Sequence, residues 1–310
     1  MKINMIGSFQ RNHPFGTEIA FLKGLQLIGE DVGWLDPSSF HSHNWHDPSQ
    51  TDALIMFKEH SQEANEMCRV FRDEFGVVVI EYQPDDIRAP GIKDMMKRLR
   101  QYCDYAFTFD ATGAKVAQEE LGYKKARKLI VTADTELYHP LPDVKKDIDF
   151  CFIGSLSNPR MHKSRNRMIE LLTENGFSVF AQSNFNPEYI NQIYNRSKVV
   201  LNHATDVGQD FGTGYGYQCR HFEAGFAGSC LFSNKLLDDE PEGPKLYMEF
   251  WDEDSLLEWA SELLQTSQGS PKPTYEIAAA EYFFELNKKH KPEHRAKEIV
   301  QFIEEVRSEA

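Results

Sequence analysis

Residues 199–231 read Val-Val-Leu-Asn-His-Ala, then Thr-Asp-Val-Gly-Gln-Asp-Phe-Gly-Thr-Gly-Tyr-Gly-Tyr, then Gln-Cys-Arg-His-Phe-Glu-Ala-Gly-Phe-Ala-Gly-Ser-Cys-Leu. An apolar run, a glycine-rich polar loop, a short run of small residues and a second apolar run spell buried strand, loop, helix and buried strand. That is the repeating unit of a parallel sheet. Arg220 and Glu223 are the firmly charged residues of the expected helix, Gln218–Ala227. They lie three apart and so share a face, which predicts an ion pair among Phe222, Ala224, Gly225 and Ala227. A helix N-terminus fed by a loop is a ready anion site. Two readings stand: a structural salt bridge, or a charged pair that meets a ligand rich in phosphates and hydroxyls.

The same texture extends outward. Strands are predicted at 148–153, 177–180, 198–203 and 229–233, with helices at 161–174, 187–194 and 255–265. After the break Ser267-Gln-Gly-Ser-Pro-Lys-Pro, two terminal helices are expected near 275–287 and 293–307. Residues 132–146 hold two prolines and a charged run, which reads as a linker. Before it, strands at 2–6, 31–35, 52–57, 76–81 and 105–109 alternate with helices from 17 and at 62–75, 91–102 and 112–121. The expected fold is α/β: two doubly wound Rossmann-like domains facing across a cleft. The first spans 1–140 and the second 147–285, with a terminal helix near 290–310 packing back on the first. In such sheets ligands bind beyond the carboxyl ends of the strands.

The 310 residues carry a formal net charge of −14, which argues against a scaffold that holds nucleic acid by bulk attraction. A local basic face, such as Lys93, Lys97, Arg98 and Arg100, remains compatible with it. Cys68, Cys103, Cys151, Cys219 and Cys230 are spread out and form no CxxC, so a reducing, cytoplasmic setting is expected. The opening Met-Lys-Ile-Asn-Met-Ile-Gly reads as a first strand rather than a signal peptide, and no apolar run is long enough to span a bilayer.

Particular stretches of the second half resemble group 1 glycosyltransferases of the GT-B fold, especially their spore-maturation-protein-like branch. They are Phe-Cys-Phe-Ile-Gly-Ser (150–155), Ile-Tyr-Asn-Arg-Ser-Lys-Val-Val-Leu-Asn (193–202), Arg-His-Phe-Glu-Ala-Gly-Phe-Ala-Gly (220–228) and Trp-Asp-Glu-Asp-Ser-Leu-Leu-Glu-Trp (251–259). The first half is similar more loosely, through residues 16–25, 82–88, 103–110 and 134–140. The resemblance implies transfer of a sugar from a nucleotide-diphosphate sugar, a UDP-sugar foremost, to a hydroxyl acceptor. It implies that Glu223 grips the ribose, and that Gly154, Ser155 and Asn202 belong to the donor site. Many such enzymes carry two glutamates eight positions apart; here Tyr215 stands eight before Glu223, so the ribose-side carboxylate alone is retained.

The residues themselves suggest the rest. A carboxylate accepts from two vicinal hydroxyls, which suits Glu223 to a diol. No Asp-x-Asp motif is evident, so no metal is expected and the diphosphate needs side-chain cations. Arg160 and Arg165 follow the strand 148–153, and Arg165 begins an otherwise apolar stripe with Met161, Met168 and Leu172. Lys163 and Arg167 point away and read as solvated. Gly214, Tyr215 and Gly216 would offer backbone amides to oxygen atoms. Gly7, Ser8 and Gly16 bracket a loop that would face the same diphosphate across the cleft, which makes Gly16 a donor-site candidate, and His13 in that loop would serve as a base or a hydrogen-bond partner. Glu59, His60, Asp85, Asp86 and Asp110 lie at strand ends as further candidates, with Asp85 at the expected cleft edge. His13, Asp85 and Arg220 form the expected catalytic set. His41, His43 and His46, with Asp47, match no rigid metal spacing. No cofactor is expected. The acceptor would be a saccharide, a small molecule or a modified DNA base. The competing readings are a viral-type transferase acting on hydroxymethylated DNA bases and a non-catalytic sugar-nucleotide-binding module.

Overall fold

The computed structural model describes residues 1–9, 16–37, 41–58, 61–88, 91–156, 162–183, 186–204, 211, 213–214, 216–236, 243–266 and 271–309. The chain divides into two compact units, Met1–Thr132 with Pro292–Ala310, and Ala133–Lys291.

In the first unit, β1 (Lys2–Ile6), α1 (Thr17–Leu27), β2 (Asp31–Asp36), β3 (His41–His43), β4 (Ala53–Phe57), α2 (Gln62–Phe75), β5 (Val78–Gln83), α3 (Ile92–Leu99), β6 (Tyr105–Thr108), α4 (Ala111–Glu119) and β7 (Lys125–Lys128) follow in order. The sheet order is β3-β2-β1-β4-β5-β6-β7, parallel except for β3. Strand β4 is apolar throughout and β5 is apolar apart from the buried Glu81 and Gln83, as a sheet covered on both faces favours: Leu54, Met56 and Val79 meet Phe71 and Met96. Helix ends obey local chemistry. The Ser61 hydroxyl accepts from Ala64 N at the start of α2, and Gly76, at φ 66°, closes it. The chain's last helix, Pro292–Ser308, belongs here: Phe302 packs on Phe107 with ring centroids 4.6 Å apart. Arg127 and Lys125 both reach Glu305.

In the second unit come β8 (Ile148–Ile153), α5 (Lys163–Glu174), β9 (Val179–Gln182), α6 (Pro187–Arg196), β10 (Ser197–Asn202), β11 (Thr213–Gly214), α7 (Cys219–Phe226), β12 (Cys230–Leu236), β13 (Met248–Phe250), α8 (Glu253–Leu264) and α9 (Thr274–Lys289). The last helix of the chain is then α10. The strands run β11-β12-β10-β8-β9, with β13 on β12, and all pairs are parallel. Phe150, Phe152, Phe232 and Phe250 fill the core together with Leu256 and Leu263.

Four strands escape the sequence reading: β3, β7, β11 and β13. The polar stretch at 41–46, where no strand is expected, supplies the edge strand β3, with His41 and His43 exposed and His46 buried against the Asp31 carbonyl at 3.1 Å. An edge strand is held by backbone pairing and needs no apolar alternation.

Candidate functional site

The second sheet reverses its strand order between β8 and β10, and a crevice opens beyond the carboxyl ends at such a reversal. The terminal residues there are Ile153 and Asn202. Arg220 reaches both from the first turn of α7. Its Nη1 donates to Asn202 Oδ1 at 2.5 Å and its Nη2 to the Ile153 carbonyl. The guanidinium carbon lies 4.7 Å from the centroid of the Phe152 ring. Nε is buried without a partner. Gly154 makes the approach possible, since a Cβ there would stand 2.6 Å from Arg220 Nη2. Helix α7 itself lies close to α9 because Gly225 carries no side chain; any Cβ would run into Leu286 and the Tyr282 ring.

A buried polar cluster fixes the rest of this end. Asn202 Nδ2 donates to Ser233 Oγ at 2.9 Å, and His221 Nε2 lies 3.5 Å from the same oxygen. His221 Nδ1 accepts from Gln218 N at 3.1 Å. Burial pushes the His221 imidazole down to about 3, so it is neutral and leaves Arg220 as the cation of the cluster. Asn234 Oδ1 accepts from Ala204 N at 2.7 Å, while its Nδ2, beside Gly214, has no partner. Ser233 and Asn234 were not singled out from sequence. The polar pair that interrupts the apolar run Cys230–Phe232 was the available signal.

Glu223 differs from the sequence expectation. It makes no ion pair with Arg220, because the guanidinium turns to the strand ends, where a carbonyl and an amide oxygen already accept its protons. The Tyr194 hydroxyl donates to Glu223 Oε2 at 3.4 Å, and the Tyr138 phenol bonds it as well. Burial raises the Glu223 carboxyl to about 7; the charge of Arg220 and the two tyrosines hold the rise back. At 8% exposure the carboxyl is a buried acceptor for hydroxyl groups, two of which are already in place.

The other expected residues distribute as follows. Arg165 stands 5.9 Å from the Phe152 ring, so two guanidinium groups flank one aromatic ring, and its Nη1 donates to Ser155 O at 3.4 Å. Arg167 grips Glu253 in a two-pronged pair at 2.9 and 3.0 Å, and Lys163 is exposed. Gly154 spends its N–H on the Gln182 carbonyl, so what it offers is absence of bulk. Gly214 is buried in β11 and Gly216 has φ 62°. In the first unit, Gly16 precedes α1. Asp85 is paired with Lys58 at a half-exposed position. Asp86 holds Arg88 at 2.6 Å, and Arg88 in turn holds Asp110, which caps α4. His13, Glu59, His60, Arg160 and Tyr215 lie outside the described residues. Among the described residues no group of His, Cys, Asp and Glu is arranged to hold a metal, and no helix is long and apolar enough to cross a membrane.

A family model described as glycosyl transferase-like matches residues 134–301, over half of the chain. A comparison with curated protein sequences gave no match. Among solved structures, an alpha-glucosyltransferase in complex with UDP-glucose and DNA containing an abasic site is similar at TM-score 0.65 and 12% identity, over 97% of this chain and 98% of that one. Sucrose-phosphate synthase from Thermosynechococcus elongatus is similar at 0.63 and 11%, over 100% of both chains. Anabaena HepE in complex with UDP and glucose is similar at 0.64 and 12%, over 98% of this chain and 100% of that one.

Proposed function

The chain belongs to the glycosyl transferase-like family and is a glycosyltransferase of GT-B fold, and on that footing we propose that it transfers a sugar from a UDP-sugar to a hydroxyl acceptor without a metal. One observation carries the reading. Arg220 stands at the strand-order reversal of the second sheet, held by uncharged acceptors and partnered by no carboxylate. Its positive charge therefore has no directly bonded counter-ion where a diphosphate would sit, and Glu223 meets it only through space. A guanidinium held in that way stabilises charge growing on a leaving diphosphate with no reorganisation. Arg165, on the same aromatic ring, supplies a second cation, and Glu223 accepts from the ribose. The neighbours solved with UDP or UDP-glucose make uracil the first nucleobase to try. In this reading residues 1–140 take the acceptor and 147–285 the donor. Stretches 150–155, 193–202 and 220–228 favour the spore-maturation-protein-like branch, and the five free cysteines suit a reducing cytoplasm.

A saccharide or small-molecule acceptor is favoured over DNA. Lys93 is paired with Glu120 and Arg100 with Asp104, which neutralises half of the basic set Lys93, Lys97, Arg98 and Arg100, and the net charge is −14. Thermal unfolding with UDP, UDP-glucose and other nucleotide sugars, each with and without EDTA, tests the proposal. A saturating donor at a hundred times its Kd stabilises by about 2.7 kcal/mol. The expected result is a shift with uridine nucleotides that EDTA leaves unchanged. A shift abolished by EDTA and restored by magnesium or manganese overturns metal independence, and no shift with any nucleotide overturns the donor site.

A further inference from the structure

The first sheet reverses its order between β1 and β4, and the side chain beside that reversal is Glu18, the second residue of α1. Its methylene lies near Gly7, the residue after β1: a Cβ on Gly7 would meet Glu18 Cγ at 3.1 Å and Phe57 Cβ at 3.0 Å. Glu18 is 9% exposed, and its Oε2 is buried with no hydrogen-bond partner. A buried carboxylate oxygen without a donor is costly unless something supplies one. Among the described residues two charged groups act on it, beside a hydrogen bond from its own backbone. Asp36, at the end of β2, is a buried acid whose Oδ2 accepts from Phe9 N at 3.1 Å. Lys58, just past β4, acts on Glu18 through space but is ion-paired with Asp85, beyond β5. Lys58 has φ 43°, a left-handed backbone that costs energy for a side-chain-bearing residue. Such strain gathers at working sites.

We propose that Glu18 takes the proton of the acceptor hydroxyl, with the open valence of Oε2 at the reversal of the first sheet as the place where that hydroxyl binds. The assignment rests on the glycosyltransferase reading. As the hydroxyl proton passes to Oε2, the hydroxyl oxygen forms its bond to the anomeric carbon of the sugar. The bond from that carbon to the diphosphate breaks, the electron pair leaves with the diphosphate, and Glu18 later returns the proton to water. Burial, first, raises the Glu18 carboxyl to about 7, with a small push from Asp36, while a hydrogen bond from its own backbone and the charge of Lys58 oppose the rise. A base of that strength both ionises and accepts a proton near neutrality. Asp85, with its charge satisfied by Lys58, is left as the holder of that lysine.

Hydrolysis of UDP-glucose, with water as the acceptor, provides the test, beside UDP affinity by calorimetry. Glu18→Gln keeps the shape and removes the base. The expected outcome is a loss of about 100-fold in UDP release with UDP affinity held within about twofold, and formate restoring about tenfold to a folded Glu18→Ala variant. UDP release by Glu18→Gln within about threefold of wild type overturns the assignment, since a base is worth far more than that. So does a wild type that binds UDP yet releases none from UDP-glucose. A wild type that binds neither UDP nor UDP-glucose overturns the donor reading instead, which keeps the two failures apart.

Discussion

In the first unit the strand order turns between β1 and β4, and in the second between β8 and β10; each turn is attended by the second residue of a helix. In α1 that residue is Glu18 and in α7 it is Arg220. A helix N-terminus favours the anion and disfavours the cation by about 0.3–1 kcal/mol at exposed positions. The two residues are treated in the reverse sense. Arg220, placed against the dipole, is held by Asn202 Oδ1 and the Ile153 carbonyl and lies over Phe152. Glu18, placed with the dipole, is left with one oxygen unmet. A cation fixed by neutral acceptors has no hydrogen-bonded counter-ion to displace before it meets an incoming anion. A carboxyl without a directly bonded cation keeps a proton within reach. On the proposed roles, the same position in the two sheets would serve charge stabilisation in one and proton transfer in the other.

The comparison breaks most visibly at Arg220. Arg220→Ala is expected to lower kcat for UDP release by about 10²–10³, roughly 2.7–4 kcal/mol, the scale for removing one preorganised group that meets developing charge. Arg220→Lys recovers little, because an ammonium on a flexible stem cannot hold the Asn202 oxygen, the Ile153 carbonyl and a phosphate in one plane. Steady-state kinetics with melting curves check this; full turnover in Arg220→Lys would show that charge alone suffices.

Glu223 comes next. Its carboxyl meets hydroxyls in ground and transition state alike, so Glu223→Ala is expected to raise the UDP-glucose KM by about tenfold with little change in kcat, the worth of a hydrogen bond to a charged or strongly polar group. Tyr194→Phe removes a hydroxyl that now occupies Glu223 and is expected to move KM in the same direction by less. A kcat effect larger than the KM effect would place Glu223 nearer the reacting bond than the ribose.

Paired glycines sharpen the contrast at still smaller amplitude. Gly154→Ala puts a methyl 2.6 Å from Arg220 Nη2, the free end of a flexible chain, so the fold survives and the guanidinium moves. Gly7→Ala presses instead on Phe57 and Glu18 at 3.0 and 3.1 Å. The first is expected to weaken UDP binding by about threefold to tenfold, as a partly lost charged hydrogen bond does, and the second to leave it unchanged. Calorimetry separates them, and equal losses would dissolve the division of labour.

How far the sequence shows all this depends on what periodicity can encode. Runs such as Val199–Leu201 and Cys230–Phe232 announce buried strands, because a strand covered on both faces must be apolar throughout. Lys125–Lys128, Lys-Ala-Arg-Lys, announces nothing, since an edge strand is chosen by pairing and by the acids of α10 that cover it. Arg220 and Glu223 are legible as charges in a helix of small residues. Their partners are not: the Ile153 carbonyl is 67 positions away and Tyr194 is 29 from Glu223, distances with no period. Glu18 reads as an ordinary acid in a first helical turn. What marks it is an unmet oxygen beside the strand-order reversal, which only the folded chain reveals; Glu81 Oε1 is unmet too, but inside the core.

The smallest effect on turnover is expected at Glu81, a buried acid of the first unit that serves as the control for Glu18. It sits inside the core beside Cys103, where the Tyr123 hydroxyl is bonded to it and also lies 2.9 Å from the Met96 carbonyl. One hydroxyl proton cannot serve both acceptors. A protonated Glu81 resolves the count by donating to the Tyr123 oxygen while Tyr123 donates to Met96. Burial raises the Glu81 carboxyl to about 8, in agreement. Between its ordinary 4.5 and about 8 the folded chain therefore binds a proton that the unfolded chain has released, and stability falls as pH rises through that window. Glu18 and Glu223, each near 7, contribute the same sign at lower pH, and His221, pushed down to about 3, contributes the opposite sign below 6.5. From pH 7 to 8 Glu81 is the largest single contributor, with a slope of at most about 1.4 kcal/mol per pH unit for one proton, and Glu18 and Glu223 add to it with the same sign. Glu81→Gln is expected to reduce the slope of urea-unfolding stability across that interval while leaving UDP release intact. A slope unchanged by Glu81→Gln would mean that Glu81 is ionised in the core, and a loss of UDP release would give Glu81 a part in the chemistry assigned to Glu18.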